Sequence, residues 1–333
     1  MDAGGFTATP VSFRGVDAVR LAGPGSAVDA VVALTGATLL RWQVPLAGRP
    51  VEVVDGYRDA AELDGQDGVR SGVMAPFVNR VADGRYRYGG RDHDLLPGRP
   101  AGSRVVYHGL LRSLPTTVAE LSTGDGHARV VLAASIRPGA IPGYPFGLDL
   151  RVRYIVTESV LALSITGHNP GPDPVPFSAG WHPYFTLGTP DLDELELTVP
   201  AATVIRTDPD LLPLPGAEAF APVAEHPGLD FRRARRIGRS VLDVAFAELT
   251  PDADGLATTV LRDPLSGAEL RVRQHSGLMH VFTGDTLARD PRRSIALEPV
   301  EVMTDAFNRP DCAASITLPG GRSRTFDCRV EAR

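Results

Sequence analysis

The chain has 333 residues, of which 43% are hydrophobic and 22% charged, and its formal net charge is −6. This composition is typical of a folded globular protein and excludes a disordered chain. The sequence contains no lysine. This absence rules out Schiff-base and pyridoxal-phosphate enzymes, which need a lysine amine, and phosphate-binding loops of the GxxxxGK[ST] type.

The charge distribution and the termini restrict partners and location. A net negative chain without a long basic run is not expected to bind nucleic acid. No window approaches about 18 consecutive apolar residues, so we expect no membrane span. Residues 1–5 have neither the basic nor the apolar run of a signal peptide, which predicts a cytoplasmic protein. We interpret Cys312 and Cys328 as reduced thiols, with a bridge between them as the open alternative.

Alternation of apolar and polar residues predicts short strands along the chain. The clearest segment, Leu148–Val156, has an apolar residue at every second position, and residues 161–165 repeat the pattern after a turn, which predicts a hairpin. One helix of about two turns is predicted at residues 57–63. In chain order, the predicted strands are residues 51–54, 129–136, 148–156, 161–165, 195–199, 258–261, 270–272, 279–283 and 326–330.

The arrangement of these elements predicts the fold class. Strands do not alternate with helices of 10–15 residues, so a parallel doubly wound sheet is not expected. Frequent turn signals such as Gly89-Gly90 separate the strands, and no linker or repeat divides the chain. We therefore predict one all-β domain over residues 1–333, built as a large antiparallel β-sandwich.

Common catalytic and metal-binding motifs are missing. The sequence has no HExxH, CxxC, GxGxxG or GxSxG. The one tight cluster of metal-ligand types, DHD at residues 92–94, lies in a polar, turn-rich stretch and is interpreted as a solvated loop. The sequence therefore predicts neither metal ligands nor a cofactor.

Polar residues within apolar or glycine-rich surroundings are the remaining candidates. Glu298 ends the run SIALEP (residues 294–299), where lost hydration would raise the pKa of a carboxylate toward that of a general base. The alternative is a strand-end glutamate facing water. His182, in GWHPYF (residues 180–185), is either part of an aromatic sugar platform or a core histidine bonded to the backbone.

Three further side chains have both a functional and a structural interpretation. His108 precedes Gly109, which would let a ligand approach the backbone closely, although a histidine in such a position is more often structural. Arg80 follows PFVN and needs acceptors, from an internal ion pair or from a polyhydroxylated ligand. Asp243 is an acid in the apolar run VLDVAF (residues 241–246), where a buried acid is usually hydrogen-bonded.

Taken together, these residues resemble the aldose 1-epimerase (mutarotase) family over about residues 10 to 330. Each motif is weak alone, but several in the same order are fairly specific. In chain order they are NR (79–80) with GRY (84–86), HG (108–109), HPYF (182–185), LD (242–243) with Phe246, LEP (297–299) and TDAFN (304–308).

The resemblance implies an antiparallel β-sandwich of the galactose mutarotase type and a small sugar as partner. It implies Glu298 as general base and His182 as general acid for interconversion of α and β anomers, with no metal or organic cofactor. His108, Arg80 and Asp243 resemble the groups that orient the sugar, and Asn79 is expected to support Arg80. It leaves the oligomeric state open.

Departures from the family pattern leave the sugar open. Trp181 and Thr186 stand where the family often has asparagine, and Leu110 follows Gly109 in place of a second glycine. A hexose-6-phosphate mutarotase is the near alternative, with Arg85 and Arg112 as conceivable phosphate partners. The others are a non-catalytic carbohydrate-binding protein and a hydrolase or lyase using Asp243 with Glu298, since glycosidases need two carboxylates.

Overall fold

The computed structural model describes residues 5–100, 105–188 and 191–333. Most of the regular structure is strand, as expected from a sequence with alternating apolar residues and few helical patterns. The strands in chain order are β1 (Thr7–Phe13), β2 (Val16–Ala22), β3 (Asp29–Ala33), β4 (Leu39–Leu46), β5 (Arg49–Glu52), β6 (Gly72–Met74), β7 (Arg80–Val81), β8 (Arg85–Tyr88), β9 (Arg91–Asp94), β10 (Val106–Tyr107), β11 (Thr117–Gly124), β12 (His127–Ile136), β13 (Leu148–Val156), β14 (Val160–His168), β15 (Val175–Pro176), β16 (Gly180–His182), β17 (Tyr184–Phe185), β18 (Glu196–Thr198), β19 (Ala201–Ile205), β20 (Phe220–Pro222), β21 (Arg235–Arg236), β22 (Asp243–Leu249), β23 (Ala257–Arg262), β24 (Glu269–Gln274), β25 (Leu278–Phe282), β26 (Ile295–Val300), β27 (Thr317–Leu318) and β28 (Ser323–Ala332).

Helical segments are short. The described α-helices are α1 (Ala60–Gly65) and α2 (Ala313–Ile316). None of the described helices is long and apolar enough to cross a membrane. The single-turn 3₁₀ segments are Pro24–Ser26, Asp67–Val69, Ala82–Gly84, Leu111–Ser113, Leu192–Glu194, Gly216–Ala219, Val223–Glu225, Pro227–Leu229, Ala306–Asn308 and Pro310–Cys312.

Three large antiparallel sheets contain most of the strands. A five-stranded sheet has the order β1-β2-β3-β4-β5, and a nine-stranded sheet has the order β11-β12-β13-β14-β28-β24-β23-β18-β21. An eight-stranded sheet has the order β20-β19-β22-β25-β26-β16-β6, with β17 also paired to β26. One continuous cluster of buried apolar residues, from Phe6 to Ala332, draws on all three sheets. The predicted all-β, antiparallel fold class is confirmed.

The predicted hairpin is present, with β13 and β14 in the register Val156↔Leu161. Burial alternates along β13 as the apolar pattern predicts, because side chains of a strand point to opposite faces in turn. Cys312 and Cys328 are free thiols, as predicted, and both are buried.

One local prediction has different bounds in the structure and another was wrong. The predicted helix at residues 57–63 begins only at Ala60, because the Asp59 side chain accepts a hydrogen bond from the Glu62 amide and caps the helix there. The DHD segment is not a loop: it lies in β9, which pairs with β8 across the Gly89-Gly90 turn. His93 is held there by stacking on Tyr86, with ring centroids 4.9 Å apart.

Candidate active site

The eight-stranded sheet brings the candidate residues onto one of its faces. Directly paired residues of antiparallel strands share a face, and His280 of β25 is the direct partner of Glu298 of β26. The same pairing rule places further side chains on this face through β22, β16 and β17, namely those of Asp243, Phe282, His182 and Tyr184. The intervening residues Val281, Leu297 and Trp181 face the opposite way and are fully buried in the core.

Glu298 and His182 form the centre of this face. Their side chains are 1% and 5% exposed, and Glu298 Oε1 lies 3.2 Å from His182 Nε2. Glu298 Oε2 and His182 Nδ1 are also buried and have no hydrogen-bond partner among the described residues. Buried polar atoms are rarely left unpaired in proteins, and both residues line one cavity, so this face indicates a place for a ligand.

Burial shifts the pKa values of the two groups in opposite directions. It raises the pKa of Glu298 to about 8, although the positive charge of His280 works against this shift. It lowers the pKa of His182 to about 3. Near neutral pH the pair therefore holds one proton, on the carboxyl group, within reach of a neutral imidazole.

His280 and Asp243 form a second pair beside the first. His280 Nε2 lies 2.7 Å from Asp243 Oδ1. Burial alone would raise the pKa of Asp243, but its hydrogen bond to His280 makes the pKa lower than usual. Burial alone would lower the pKa of His280, but the charges of Glu298 and Asp243 raise it. The two groups therefore favour an imidazolium–carboxylate pair next to Glu298.

His108 reaches the site from a loop outside the eight-stranded sheet. Its ring lies edge-on to that of His182, with centroids 4.8 Å apart, and its Nδ1 lies 3.1 Å from Met74 Sδ. Its backbone has a φ of 61°, in the left-handed region that is uncommon for a non-glycine residue. Burial lowers the pKa of His108 well below its ordinary value.

The glycine after His108 has a different role from the one expected. A Cβ on Gly109 would lie 2.5 Å from the backbone N and O of Ala75, so the space beside this glycine is filled by protein and not by a ligand. The amide of Leu110 donates to the Ala75 carbonyl at 2.7 Å. Gly109 therefore fixes the loop that carries His108.

Arg80 and Asn79 follow the cis peptide between Ala75 and Pro76. Arg80 donates from one terminal nitrogen to Asn79 Oδ1 at 3.1 Å. The Asn79 carbonyl accepts from the amide of His108 at 2.7 Å. These contacts join the segment that carries Arg80 to the loop that carries His108.

Tyr184 supports the His182 ring from behind. The two rings are stacked with centroids 5.1 Å apart, and the Tyr184 hydroxyl donates to the Gly68 carbonyl at 2.9 Å. The guanidinium of buried Arg70 lies over the Tyr184 ring, 5.2 Å from its centroid. This guanidinium forms an ion pair with Asp55 at 2.6 Å. The orientation of His182 is thus set by an aromatic ring that is itself fixed.

All six sequence-predicted side chains line one cavity of about 250 Å³. Arg80 is the one arginine among the described residues of its wall. Arg85 lines a different cavity, beside Tyr86 and His93. Arg112 donates a hydrogen bond to Gln66 Oε1 at 2.9 Å, and its guanidinium lies over the Tyr107 ring. The remaining lining residues are Asp67, Gly68, Val69, Tyr107, Tyr184, His280, Phe282, Thr286 and Leu287.

Sequence reasoning missed His280 and considered Tyr184 only as part of an aromatic sugar platform. His280 is the one ionisable residue in the strand predicted at residues 279–283, and that signal was available. Its importance comes from its pairing with Glu298 on β26, which a single sequence does not reveal. Tyr184 stood within the HPYF motif, but its stacking on His182 depends on the path of the chain through Pro183.

Comparisons with known proteins identify the family of this chain. The family model for aldose 1-epimerase matches residues 17–331. YihR of Escherichia coli, an uncharacterized protein, is 28% identical over 241 residues, which are 71% of each chain. Galactose mutarotase of Mus musculus is 28% identical over 308 residues, 86% of this chain and 85% of the mouse protein.

Solved structures of the same family share the fold. A galactose 1-epimerase from Lactobacillus acidophilus superposes with a TM-score of 0.78 at 19% identity, covering 98% of this chain and 99% of that one. A homologue from Caenorhabditis elegans gives a TM-score of 0.79 at 17% identity over 93% of this chain and 96% of that one. The chain belongs to the aldose 1-epimerase family and has the galactose mutarotase-like fold.

Proposed function

We propose that the protein is an aldose 1-epimerase that interconverts the α and β anomers of an unphosphorylated hexose. The observation that carries the proposal is the buried contact between Glu298 and His182 at the wall of the cavity. Anomer exchange needs one group that takes a proton from the C1 hydroxyl and one that gives a proton to the ring oxygen. A carboxylate and an imidazole, held together out of water, supply both.

The proposed reaction begins with Glu298 ionised and His182 protonated. Glu298 removes the proton of the C1 hydroxyl while His182 protonates O5, so the C1–O5 bond breaks and an open-chain aldehyde forms. Rotation about the C1–C2 bond exposes the other face of the carbonyl carbon. Ring closure reverses both transfers: the Glu298 carboxyl group protonates the carbonyl oxygen and His182 takes the proton from the O5 hydroxyl.

The number of protons held by the pair is the same throughout this cycle. The ligand-free form, with a protonated Glu298 and a neutral His182, has the same protonation as the state after ring opening. Both states hold one proton between two groups whose atoms lie 3.2 Å apart. Interconversion of the two forms therefore needs no proton from solvent.

We assign sugar binding to His108, Arg80 and Asp243, with Asn79 supporting Arg80. Arg80 and Asp243 supply a donor and an acceptor to sugar hydroxyl groups, and His108 lies beside the general acid. The proposal specifies an unphosphorylated sugar because Arg80 is the one arginine among the described lining residues. A single guanidinium that is shared with Asn79 is a weak receptor for a phosphate dianion.

Polarimetry of freshly dissolved α-D-glucose and α-D-galactose tests the proposal directly. We expect acceleration of mutarotation by the wild type, and a loss of at least about 10²-fold in Glu298→Gln and in His182→Asn, since general acid–base transfers contribute about this much. Exposed residues of the same types provide matched controls: Glu225→Gln and His275→Asn should retain wild-type rates.

Other outcomes identify the alternatives. Acceleration of hexose 6-phosphates alone would overturn the unphosphorylated substrate. Sugar binding without acceleration would favour a carbohydrate-binding protein. Release of reducing ends from an oligosaccharide would favour a hydrolase. Wild-type turnover in either site variant, with folding shown by circular dichroism, would remove that residue from the mechanism.

A further inference from the structure

The acid–base site also contains a set of metal ligands. One ring nitrogen each from His108 and His182 and a carboxylate oxygen of Glu298 all lie within 4.8 Å of one another. Two imidazoles and one carboxylate form a ligand set that proteins use for Zn²⁺ and similar transition-metal ions. The three residues are far apart in the chain, so no spacing in the sequence reveals the set.

The hydrogen bonding of these residues leaves donor atoms for an ion. His182 Nδ1 and Glu298 Oε2 are buried and unpaired among the described residues. The contact of His108 Nδ1 with Met74 Sδ at 3.1 Å suits the tautomer with hydrogen on Nδ1, because a thioether is a weak acceptor. The lone pair of His108 is then on Nε2, as in metal-ligating histidines whose other nitrogen is held by a neighbour.

The environment selects the type of ion. Ca²⁺ and Mg²⁺ prefer oxygen ligands and are not expected at two nitrogen atoms. Arg80 and the His280–Asp243 pair also line the cavity, and their cationic groups oppose any ion that does not bond strongly to nitrogen.

We propose that His108, His182 and Glu298 form a binding site for a divalent transition-metal ion such as Zn²⁺, and that this ion excludes the sugar. The ion would be an inhibitor and not a cofactor, because it would occupy the lone pair and the carboxylate that transfer protons. Removal of the ion by a chelator would restore the free acid–base pair.

Titration of the chelator-treated full-length protein with CoCl₂ tests the site without reference to activity. We expect visible absorption bands of protein-bound Co²⁺ at one ion per chain, which ZnCl₂ abolishes by displacement. Calorimetry with ZnCl₂ should show affinity at least about ten-fold weaker in His108→Ala and Glu298→Gln. His93→Asn is the matched control, since His93 lies with two aspartates in the surface strand β9 and should leave the affinity unchanged.

The outcomes separate this proposal from the proposed activity. Bands that persist in both site variants, or that vanish in His93→Asn, would place the ion elsewhere and overturn the proposal, as would the absence of binding to folded wild type. Loss of the bands in the site variants alone would support it even if no sugar were epimerised. Where mutarotation is observed, Zn²⁺ should inhibit it competitively with the sugar.

Discussion

At the scale of single residues, the cavity combines two pairs with different electrostatic states. Glu298 and His182 have pKa values shifted by burial toward a neutral pair that shares a proton. The hydrogen bond to His280 lowers the pKa of Asp243, and the charges of Glu298 and Asp243 raise the pKa of His280, so these two groups favour a charged pair. The second pair adjoins the first through the direct cross-strand pairing of His280 with Glu298. The charge of His280 is therefore positioned to control how readily Glu298 ionises.

The substitution His280→Gln tests this control. Glutamine keeps a hydrogen-bond donor for Asp243 but removes the positive charge that favours the Glu298 carboxylate. The pKa of Glu298 should then rise further, and the alkaline limb of the kcat/KM profile, where the pair loses its one proton, should move to higher pH by roughly one unit, because a close opposite charge shifts a pKa by at least that amount. Polarimetry across the pH range measures the shift.

His275→Gln, at an exposed position, provides the control and should leave the profile unchanged. A purely structural role for His280 would lower the rate of His280→Gln by a similar factor at every pH. An unaltered alkaline limb in His280→Gln would therefore contradict the proposed control of Glu298.

The raised pKa of Glu298 also predicts a cost in stability that depends on pH. Between its ordinary value near 4.5 and its folded value of about 8, the folded state keeps a proton that the unfolded state has lost. The free energy of unfolding therefore falls as pH rises through this window. Glu298→Gln, which does not ionise, should melt about 5 °C above wild type at pH 9 and close to it at pH 5.

Differential scanning calorimetry of both proteins at the two pH values measures this difference. Glu225→Gln should melt with the wild type at both values, because Glu225 is exposed. If the gap between Glu298→Gln and wild type were the same at pH 5 and pH 9, the Glu298 carboxyl group would have an ordinary pKa in the fold.

At the scale of elements, the connection between β6 and β7 and the loop around His108 act as one unit. The amides of Leu110 and Leu111 donate to the carbonyl of Ala75, and that of His108 donates to Asn79. This close approach of two backbones requires a residue without a side chain at Gly109, whose φ is +72°. Displacement of the loop would move His108 and Arg80 together.

Gly109→Ala tests this coupling. Its Cβ would meet the Ala75 backbone at 2.5 Å, so we expect a loss of at least about 2 kcal/mol in the free energy of unfolding, with a fall in kcat/KM. Gly126→Ala is the matched control: its φ is +80°, but its Cβ would meet nothing within 4 Å, so only the conformational cost of about 1 kcal/mol applies.

Urea unfolding and polarimetry of the two variants give both quantities. Equal losses of stability in Gly109→Ala and Gly126→Ala would show that the backbone contact at Ala75 relaxes freely. Wild-type kcat/KM in Gly109→Ala would show that the loop does not position His108.

Alternation of apolar and polar residues marks strands with one exposed face, whereas the fully buried strand β26 was predicted only from its run of small apolar residues. The alternation in β13 gave its bounds correctly because one face of this strand meets solvent. In β26 all six residues are buried, so no alternation marks the strand. Glu298 could be predicted as a site residue there because a carboxylate within an apolar run is unusual. His280 is also buried, and its role follows only from its cross-strand pairing with Glu298.

At the scale of the whole molecule, the class of the fold could be predicted but the order of its strands could not. In the nine-stranded sheet, β28 joins the two halves by pairing with β14 on one side and β24 on the other. These partners are distant in sequence, and period-two patterns carry no information about which strands meet. The same limit applies to the site, because Asp243, His280 and Glu298 become neighbours only through the order of the eight-stranded sheet.

The predicted single domain can be tested with the two tryptophans of the chain. Trp42 lies on β4 of the five-stranded sheet and Trp181 on β16 of the eight-stranded sheet, and both are fully buried in the same apolar cluster. In Trp42→Phe the fluorescence comes from Trp181 alone, and in Trp181→Phe from Trp42 alone. Because one core joins the sheets, we expect the fluorescence and far-ultraviolet dichroism of each variant to change at the same urea concentration.

The comparison is made within each variant, so the different costs of the two substitutions do not affect it. Trp181→Phe loses a hydrogen bond from the indole to the Ser71 carbonyl, whereas the Trp42 indole nitrogen has no partner among the described residues. Trp181→Phe should therefore unfold at the lower urea concentration, yet still in one step. Fluorescence that changed before the dichroism in either variant would show that its sheet unfolds separately, and would divide the chain into two domains.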